Sequence, residues 1–254
     1  MEVAREIRRF KRWTKVWGLN RICPFCCRPQ RNFMPAGLKS PLFEEMDIVG
    51  GGYRSNAKCL VCGSMDRERL IYLYLKNKTD ILQGHKKVLH IAPEPVLMKT
   101  LAHRVKQNYI RANIKGSRAD VFLDVRALPF SDNAFDFVIT NHVLEHVHED
   151  KMAISEIKRV MKQDTGISIL QVPLARNLMK TRYDPNINSN EQRLAHFGQE
   201  DHVRLYGRDY SELLQNAGLS IEVFDWSKDK SMSANKNRYG LIEHEKVYVC
   251  RKKK

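Results

Sequence analysis

From residue 86 to residue 250 short apolar runs alternate with amphipathic stretches, and that alternation leaves few architectures open to the chain. Residues 87–91, 108–112, 121–123, 135–140, 166–172, 220–226 and 246–250 read as strands. Residues 94–106, 151–161 and 209–217 read as helices between them, the last closed by Gly218, where a left-handed residue ends a helix. Strands separated by helices pair in parallel and are covered on both faces, so the pattern predicts an α/β fold. No clear helix separates the last two strands, which predicts an antiparallel hairpin at that edge of the sheet.

The first third of the chain reads differently. Pro24, Pro29, Pro35, Pro41 and the run Gly50-Gly51-Gly52 break any long element between residues 21 and 66. Cys23-x-x-Cys26 and Cys59-x-x-Cys62 bracket this stretch. Two such knuckles supply four thiolates, the donor set of a closed, tetrahedral, structural zinc site. Cys27 is a spare thiol, and Cys250 reads as a core thiol on the last strand. Residues 66–79 predict a helix with Leu70, Ile71, Leu73, Tyr74 and Leu75 on a broad apolar face, leading into the second domain. Residues 1–20 predict a basic helix whose stripe of Ile7, Phe10, Trp13, Val16 and Trp17 packs on the rest of the protein; contact with a membrane surface is the alternative.

Lys and Arg number 44 against 29 Asp and Glu, a formal net charge of +15. Such a balance suits RNA, an acidic glycan or a phosphate-bearing substrate. Much of the excess lies at the ends, in Arg5, Arg8, Arg9, Lys11, Arg12 and Lys15 and in Arg251 to Lys254, without an RNP or KH signature between. No apolar run approaches the roughly 20 residues that span a bilayer. The start MEVAREIRRFKRW lacks the apolar core of a secretory signal, and with paired knuckle cysteines this reads as a cytoplasmic, reducing setting.

Three segments carry a family resemblance. The run from Phe122 through Asp124, Leu128-Pro129-Phe130 and Asp132 to Phe135-Asp136 resembles the D-x-x-x-LPF-x-D-x-x-FD segment of the methyltransferase type 11 family. His142-Val-Leu144-Glu145-His146 is similar to that family's segment after the fourth strand, and Glu156 to Lys162 with Gly166 is similar to its next helix and turn. The resemblance spans about 85 residues. More narrowly, Leu89-His-Ile-Ala-Pro-Glu94, the cysteine module and the run from His196 to Gly207 resemble bacterial and viral methyltransferase-like proteins, many of them among glycan-building enzymes. The resemblance implies a class I S-adenosylmethionine-dependent methyltransferase with a Rossmann-like, mostly parallel seven-stranded sheet, helices on both faces and a small N-terminal zinc module. It divides the chain into a basic helix (1–20), a zinc module with linker helix (21–79) and the methyltransferase domain (80–254).

The same resemblance implies residue roles. His90 and Ala92 let the backbone approach the methionine part of the cofactor, with Glu94 near its amino group, although the turn lacks the usual glycines. Asn113 stands where a carboxylate usually holds the ribose. Asp124 accepts from the adenine amino group, Val125 and Leu128 flank the ring, and Asn141 and His142 face the sulfonium and the acceptor. In the loop after the fifth strand, His202 with Asp201 offers a base, while Arg204 and Tyr206 offer substrate contacts; a structural latch is the other reading of this loop. The order of His142, Glu145 and His146 differs from HExxH, and His146 reads as an ordinary helix residue rather than a metal ligand. Val172-Pro173-Leu174 lacks the signature of amino-directed DNA methyltransferases. The expected reaction is O-methylation of a sugar, nucleotide-sugar or glycan. RNA methylation, sugar C-methylation and a non-catalytic binding role stay open.

Overall fold

The computed structural model describes residues 2–116, 119–233 and 237–253, with the side chains of the N-terminal helix described in part. Of the basic terminal runs, Lys254 and the side chains of Arg5, Arg9, Arg12 and Lys15 lie outside the described set. The strands of the main sheet are β1 Val88–Ile91, β2 Tyr109–Asn113, β3 Val121–Phe122, β4 Phe137–Asn141, β5 Ile167–Gln171, β6 Leu219–Asp225 and β7 Lys246–Lys252. The longer helices are α1 Glu2–Val16, α2 Asp66–Lys78, α3 Pro95–Val105, α4 Asp150–Val160, α5 Asn190–Phe197 and α6 Tyr210–Asn216.

The seven strands stand in the order β3-β2-β1-β4-β5-β7-β6. All run parallel except β7, which is antiparallel to both β5 and β6. The expected hairpin therefore forms, but it is not simply appended at the edge. Strand β7 inserts between β5 and β6 and leaves β6 outermost.

Alternation along each strand sorts the core into two layers. Val88, Phe137, Ile139, Ile167, Ile169, Val247 and Val249 face α2 and α3. Leu89, Ile91, Val138, Leu170 and Tyr248 face α4 and α6. Each of these aliphatic burials contributes about 1.5–3 kcal/mol before chain entropy is counted. Helix α2 packs directly on the sheet through Leu70, Ile71, Leu73 and Leu75 and so belongs to the first layer rather than bridging two bodies.

The helices after β1 and β4 lie on opposite faces, since α3 joins the first layer and α4 the second. Such a reversal opens a crevice at the carboxyl ends of the two strands. The N-terminal module folds over it. Ile48–Val49 pairs antiparallel with Leu174–Ala175, just beyond β5. Gly50, at φ +84°, lies so close to this end that an added Cβ would meet Glu245 Oε1 at 3.2 Å and His142 Cε1 at 3.6 Å. Arg69 on α2 ties the cysteine loops to the C-terminal loop, donating to the carbonyls of Ala57, Ser64, Tyr239 and Gly240 at 2.8–3.0 Å.

Among the described residues of the α1 stripe, Trp13 is the one held by the cysteine module. Trp13 donates from Nε1 to the Pro29 carbonyl at 2.8 Å and takes the Arg28 guanidinium on its ring. Ile7, Phe10 and Trp17 each stay more than half exposed, so docking of the whole stripe, expected from its spacing, does not occur.

Candidate functional site

The crevice begins with the turn after β1. His90 is fully buried, with Nδ1 2.8 Å from the Tyr109 hydroxyl and Nε2 3.2 Å from Glu94 Oε2. Ala92 adopts φ +50° and donates its N–H to the Ala112 carbonyl at 2.8 Å. It takes the left-handed geometry that a glycine would take without penalty, so the tight turn survives the missing glycines. Burial pushes the Glu94 carboxyl up, but the His90 hydrogen bond and the nearby charges of His90 and Arg67 together hold the group below its ordinary value. Asn141 Nδ2 donates to Glu94 Oε1, which links the ends of β4 and β1.

Other cofactor candidates sit around this turn. Asn113 ends β2, as its place in the sequence predicts, with its side-chain oxygen accepting from Ile114 N at 2.9 Å. Asp124 follows β3 but is engaged by its neighbour. The Arg126 backbone N–H and guanidinium hold both carboxylate oxygens at 2.6–3.0 Å and keep its pKa low. Val125 and Leu128 are nearly fully buried in the second layer, so they present less of a slot to a ring than expected.

Two groups from α2 enter the crevice without any sequence signal. Glu68 Oε1 accepts from Val96 N and Leu97 N at 3.1 and 3.2 Å, and so caps the N-terminus of α3. Arg67 acts electrostatically on Glu94, His142 and Glu245, and its buried Nε has no hydrogen-bond partner. Their positions in a helix that reads as a linker hid both.

The acceptor side is built from the turn after β4. His142 takes φ +58°, and its Nδ1 lies 3.1 Å from Glu145 Oε1. Burial pushes His142 below the ordinary histidine value, and the Arg67 charge adds to this against the pull of Glu145. The Val203 N–H donates to the Glu145 carbonyl at 2.9 Å and brings His202 beside this turn. Glu145 and His202 are 1% and 2% exposed, and neither Glu145 oxygen nor His202 Nδ1 has a hydrogen-bond partner.

Three expected roles change here. Asp201 is 72% exposed at its side chain and lies 3.4 Å from His146 Nδ1, so it pairs with His146 rather than supporting His202. Arg204 is buried, with its guanidinium 2.6 Å from Asp150 and donating to the carbonyls of Val147 and His148. Tyr206 donates its hydroxyl to Asp150 Oδ2 at 2.8 Å. Both latch residues 202–206 onto residues 142–150. The carboxylate that faces the histidines is Glu145, which the sequence offers only within the segment after the fourth strand and in an order unlike HExxH.

The four knuckle cysteines converge as their spacing predicts. Cys23 Sγ lies 3.5 Å from Cys62 Sγ, Cys26 Sγ lies 3.9 Å from Cys59 Sγ, and all four sulfurs fall within 4.8 Å of one another. Zinc–sulfur bonds of about 2.3 Å in a tetrahedron place sulfurs about 3.8 Å apart, so the donor set fits that ion. Gln30 Nε2 donates to Cys59 Sγ at 3.0 Å, the kind of outer contact that orients a thiolate. Cys27 is exposed and Cys250 is buried in the second layer, both free thiols.

No curated protein matches the chain. It is similar in structure to the YcgJ protein from Bacillus subtilis, at 17% identity and TM-score 0.45, over 61% of this chain and 70% of that one. It is similar to a putative methyltransferase from Bacillus halodurans at 17% identity and TM-score 0.43, over 71% of this chain and 92% of that one. A SAM dependent methyltransferase from Archaeoglobus fulgidus aligns at 16% identity and TM-score 0.44, over 73% of this chain and 94% of that one. Residues 78–169, which hold β1 to β4 and the start of β5, match the family model described as a methyltransferase domain.

Proposed function

We propose that this chain is an S-adenosylmethionine-dependent methyltransferase that O-methylates a sugar, nucleotide-sugar or glycan, with zinc held by Cys23, Cys26, Cys59 and Cys62 as a structural ion. The observation that carries the reading is His142. It is an imidazole kept neutral by burial, with an unpartnered Nε2, at the carboxyl end of β4 and beside Glu145. A hydroxyl acceptor must lose a proton as its oxygen attacks, and a positioned neutral imidazole is the group for that task. Nε2 takes the proton, while Glu145 beside Nδ1 favours the cation that results.

When bound, S-adenosylmethionine supplies an electrophilic methyl group. The residues around the Ala92 turn suit it. The unpartnered Arg67 Nε suits a carboxylate, Glu94 suits an ammonium, and Asn113 suits hydroxyls. Asp124 suits an amino group once it shares its contact with Arg126. The orphaned Asn141 Oδ1 faces the same end of the sheet. Arg204 and Tyr206 act indirectly, by fixing the loop that lies against His142.

One observation favours the RNA reading. A cavity of about 1110 Å³ between the cysteine knuckles and α3 is lined by Arg8, Lys58, Lys99, His103 and Arg104. Such a cationic cavity suits phosphates.

A methyl-transfer screen over sugars, nucleotide-sugars, glycan fragments and RNA tests the reading. Transfer to a hydroxyl is expected, with a loss of roughly 10²–10⁴-fold in His142→Ala and unchanged cofactor affinity. Transfer to RNA alone, or full turnover in His142→Ala, contradicts it.

A further inference from the structure

The turn after β4 and the loop at residue 202 hold a second cluster of metal-binding groups, apart from the cysteines. One ligand atom each of Glu145, His146 and His202 lies within 4.8 Å of the others. The Val203–Glu145 backbone bond and the Arg204–Asp150 ion pair fix the two segments against each other, so the cluster is built by the fold. Its polar atoms are nonetheless unsatisfied. Both Glu145 oxygens and His202 Nδ1 are buried and lack a hydrogen-bond partner. The one close contact of this carboxylate is His142 Nδ1, 3.1 Å from Glu145 Oε1. A buried carboxylate in this state is costly, and a coordinated cation relieves the cost.

The histidines are arranged to receive one. His146 Nδ1 lies 2.9 Å from the Asp201 carbonyl, which selects the tautomer protonated there and leaves Nε2 as the free nitrogen. An imidazole that binds a metal through one nitrogen characteristically donates the other N–H to a carbonyl or carboxylate. His202 offers the bare Nδ1, and its ring meets that of His146 edge-on at 4.8 Å between centroids. Two imidazoles and a carboxylate form the donor set of open, three-ligand transition-metal sites, in which a further position takes water or an oxygen of the substrate.

We propose that Glu145, His146 and His202 bind one divalent transition-metal ion, with zinc or cobalt as suitable occupants. The ion sits at the acceptor side of the crevice, next to His142, and its open position is suited to a hydroxyl or water oxygen. The cysteine knuckles form a separate, closed site. The assignment does not depend on methyl transfer, because it is read from ion binding alone.

Titration of the full chain, stripped of metal and kept reduced, with cobalt(II) tests the proposal. Cobalt on thiolates gives an intense charge-transfer absorption, whereas cobalt on imidazole and carboxylate gives only weak visible bands. Wild-type protein is expected to bind one equivalent of the second kind. His146→Ala, at a half-exposed position, and Glu145→Gln are each expected to weaken that equivalent by tenfold or more, while any thiolate-bound equivalent stays unchanged. Circular dichroism of each variant checks that the sheet is intact. Absence of a non-thiolate equivalent in the wild type, or equal affinity in the folded variants, overturns the proposal. Either result leaves the methyl-transfer reading to stand or fall on its own assay.

Discussion

The cysteine cluster and the glutamate–histidine cluster both gather metal-binding atoms, yet they are built in opposite ways. The cysteines come from two short knuckles, sit among Phe33 and Val61, and present all four donors to one point. Glu145 and His146 are consecutive in one turn, whereas His202 comes from a later loop, joined to it by the latch of Arg204 and Tyr206 on Asp150. The first arrangement leaves no open position and suits a structural role. The second lies at the end of the sheet where ligands bind in open α/β folds, and it leaves atoms unpaired. A protein tolerates orphaned polar atoms where something else completes them, so the difference marks one region for stability and the other for chemistry.

Breaking the closed cluster gives the largest expected effect. Structural zinc in small modules contributes apparent binding energies of about 10–16 kcal/mol, nearly all of it folding energy. Cys59→Ser, or stripping the metal, is expected to unfold residues 21–65, seen as new proteolytic cuts there, while β1 to β5 stay protected. Arg69→Met probes the same side through the seam. Each carbonyl left without its donor costs roughly 1–3 kcal/mol, so a marked fall in Tm is expected by calorimetry. A change within half a kilocalorie would show that the seam contributes little.

The open end of the sheet should respond less in stability and more to pH. Burial raises the Glu245 carboxyl to about 8, with Gln171 Nε2 3.1 Å from Oε1. The folded state therefore keeps a proton that the unfolded chain releases near pH 4.3, and stability from this group is lost as pH rises from there through about 8. Glu245→Gln should raise Tm more at pH 8 than at pH 5, and equal shifts at both would contradict this. The smallest expected effect is at Asn113. Asn113→Asp restores a charged acceptor at the end of β2 and should tighten S-adenosylmethionine binding by about fivefold, near 1 kcal/mol by calorimetry.

The two regions also differ in how plainly the sequence displays them. The cysteine site was legible because a knuckle is a local object, set by a spacing of three residues. The sheet was legible for a related reason, since strands buried on both faces announce themselves as apolar runs. Ala92 at φ +50° shows why the missing glycines did not erase the fold: the turn geometry is held by β1, β2 and the Ala92–Ala112 hydrogen bond. The acceptor side was harder to read. The proximity of Asp201 and His202 along the chain suggested a pair, but consecutive residues point apart, and Asp201 turned to His146. Glu145 comes to face His202 as well as His142 and His146 only when residue 203 bonds back to residue 145. The insertion of β7 between β5 and β6 was hidden for the same reason, because strand order is a long-range property.

Calorimetric titration of the full chain with S-adenosylmethionine and with its demethylated product tests the central claim most directly. The account predicts saturable one-to-one binding of both, weakened in Asp124→Ala and unaffected in His142→Ala. Absence of heat with either ligand, for protein shown to be folded by circular dichroism, would contradict it and leave the crevice between β1 and β4 without its cofactor.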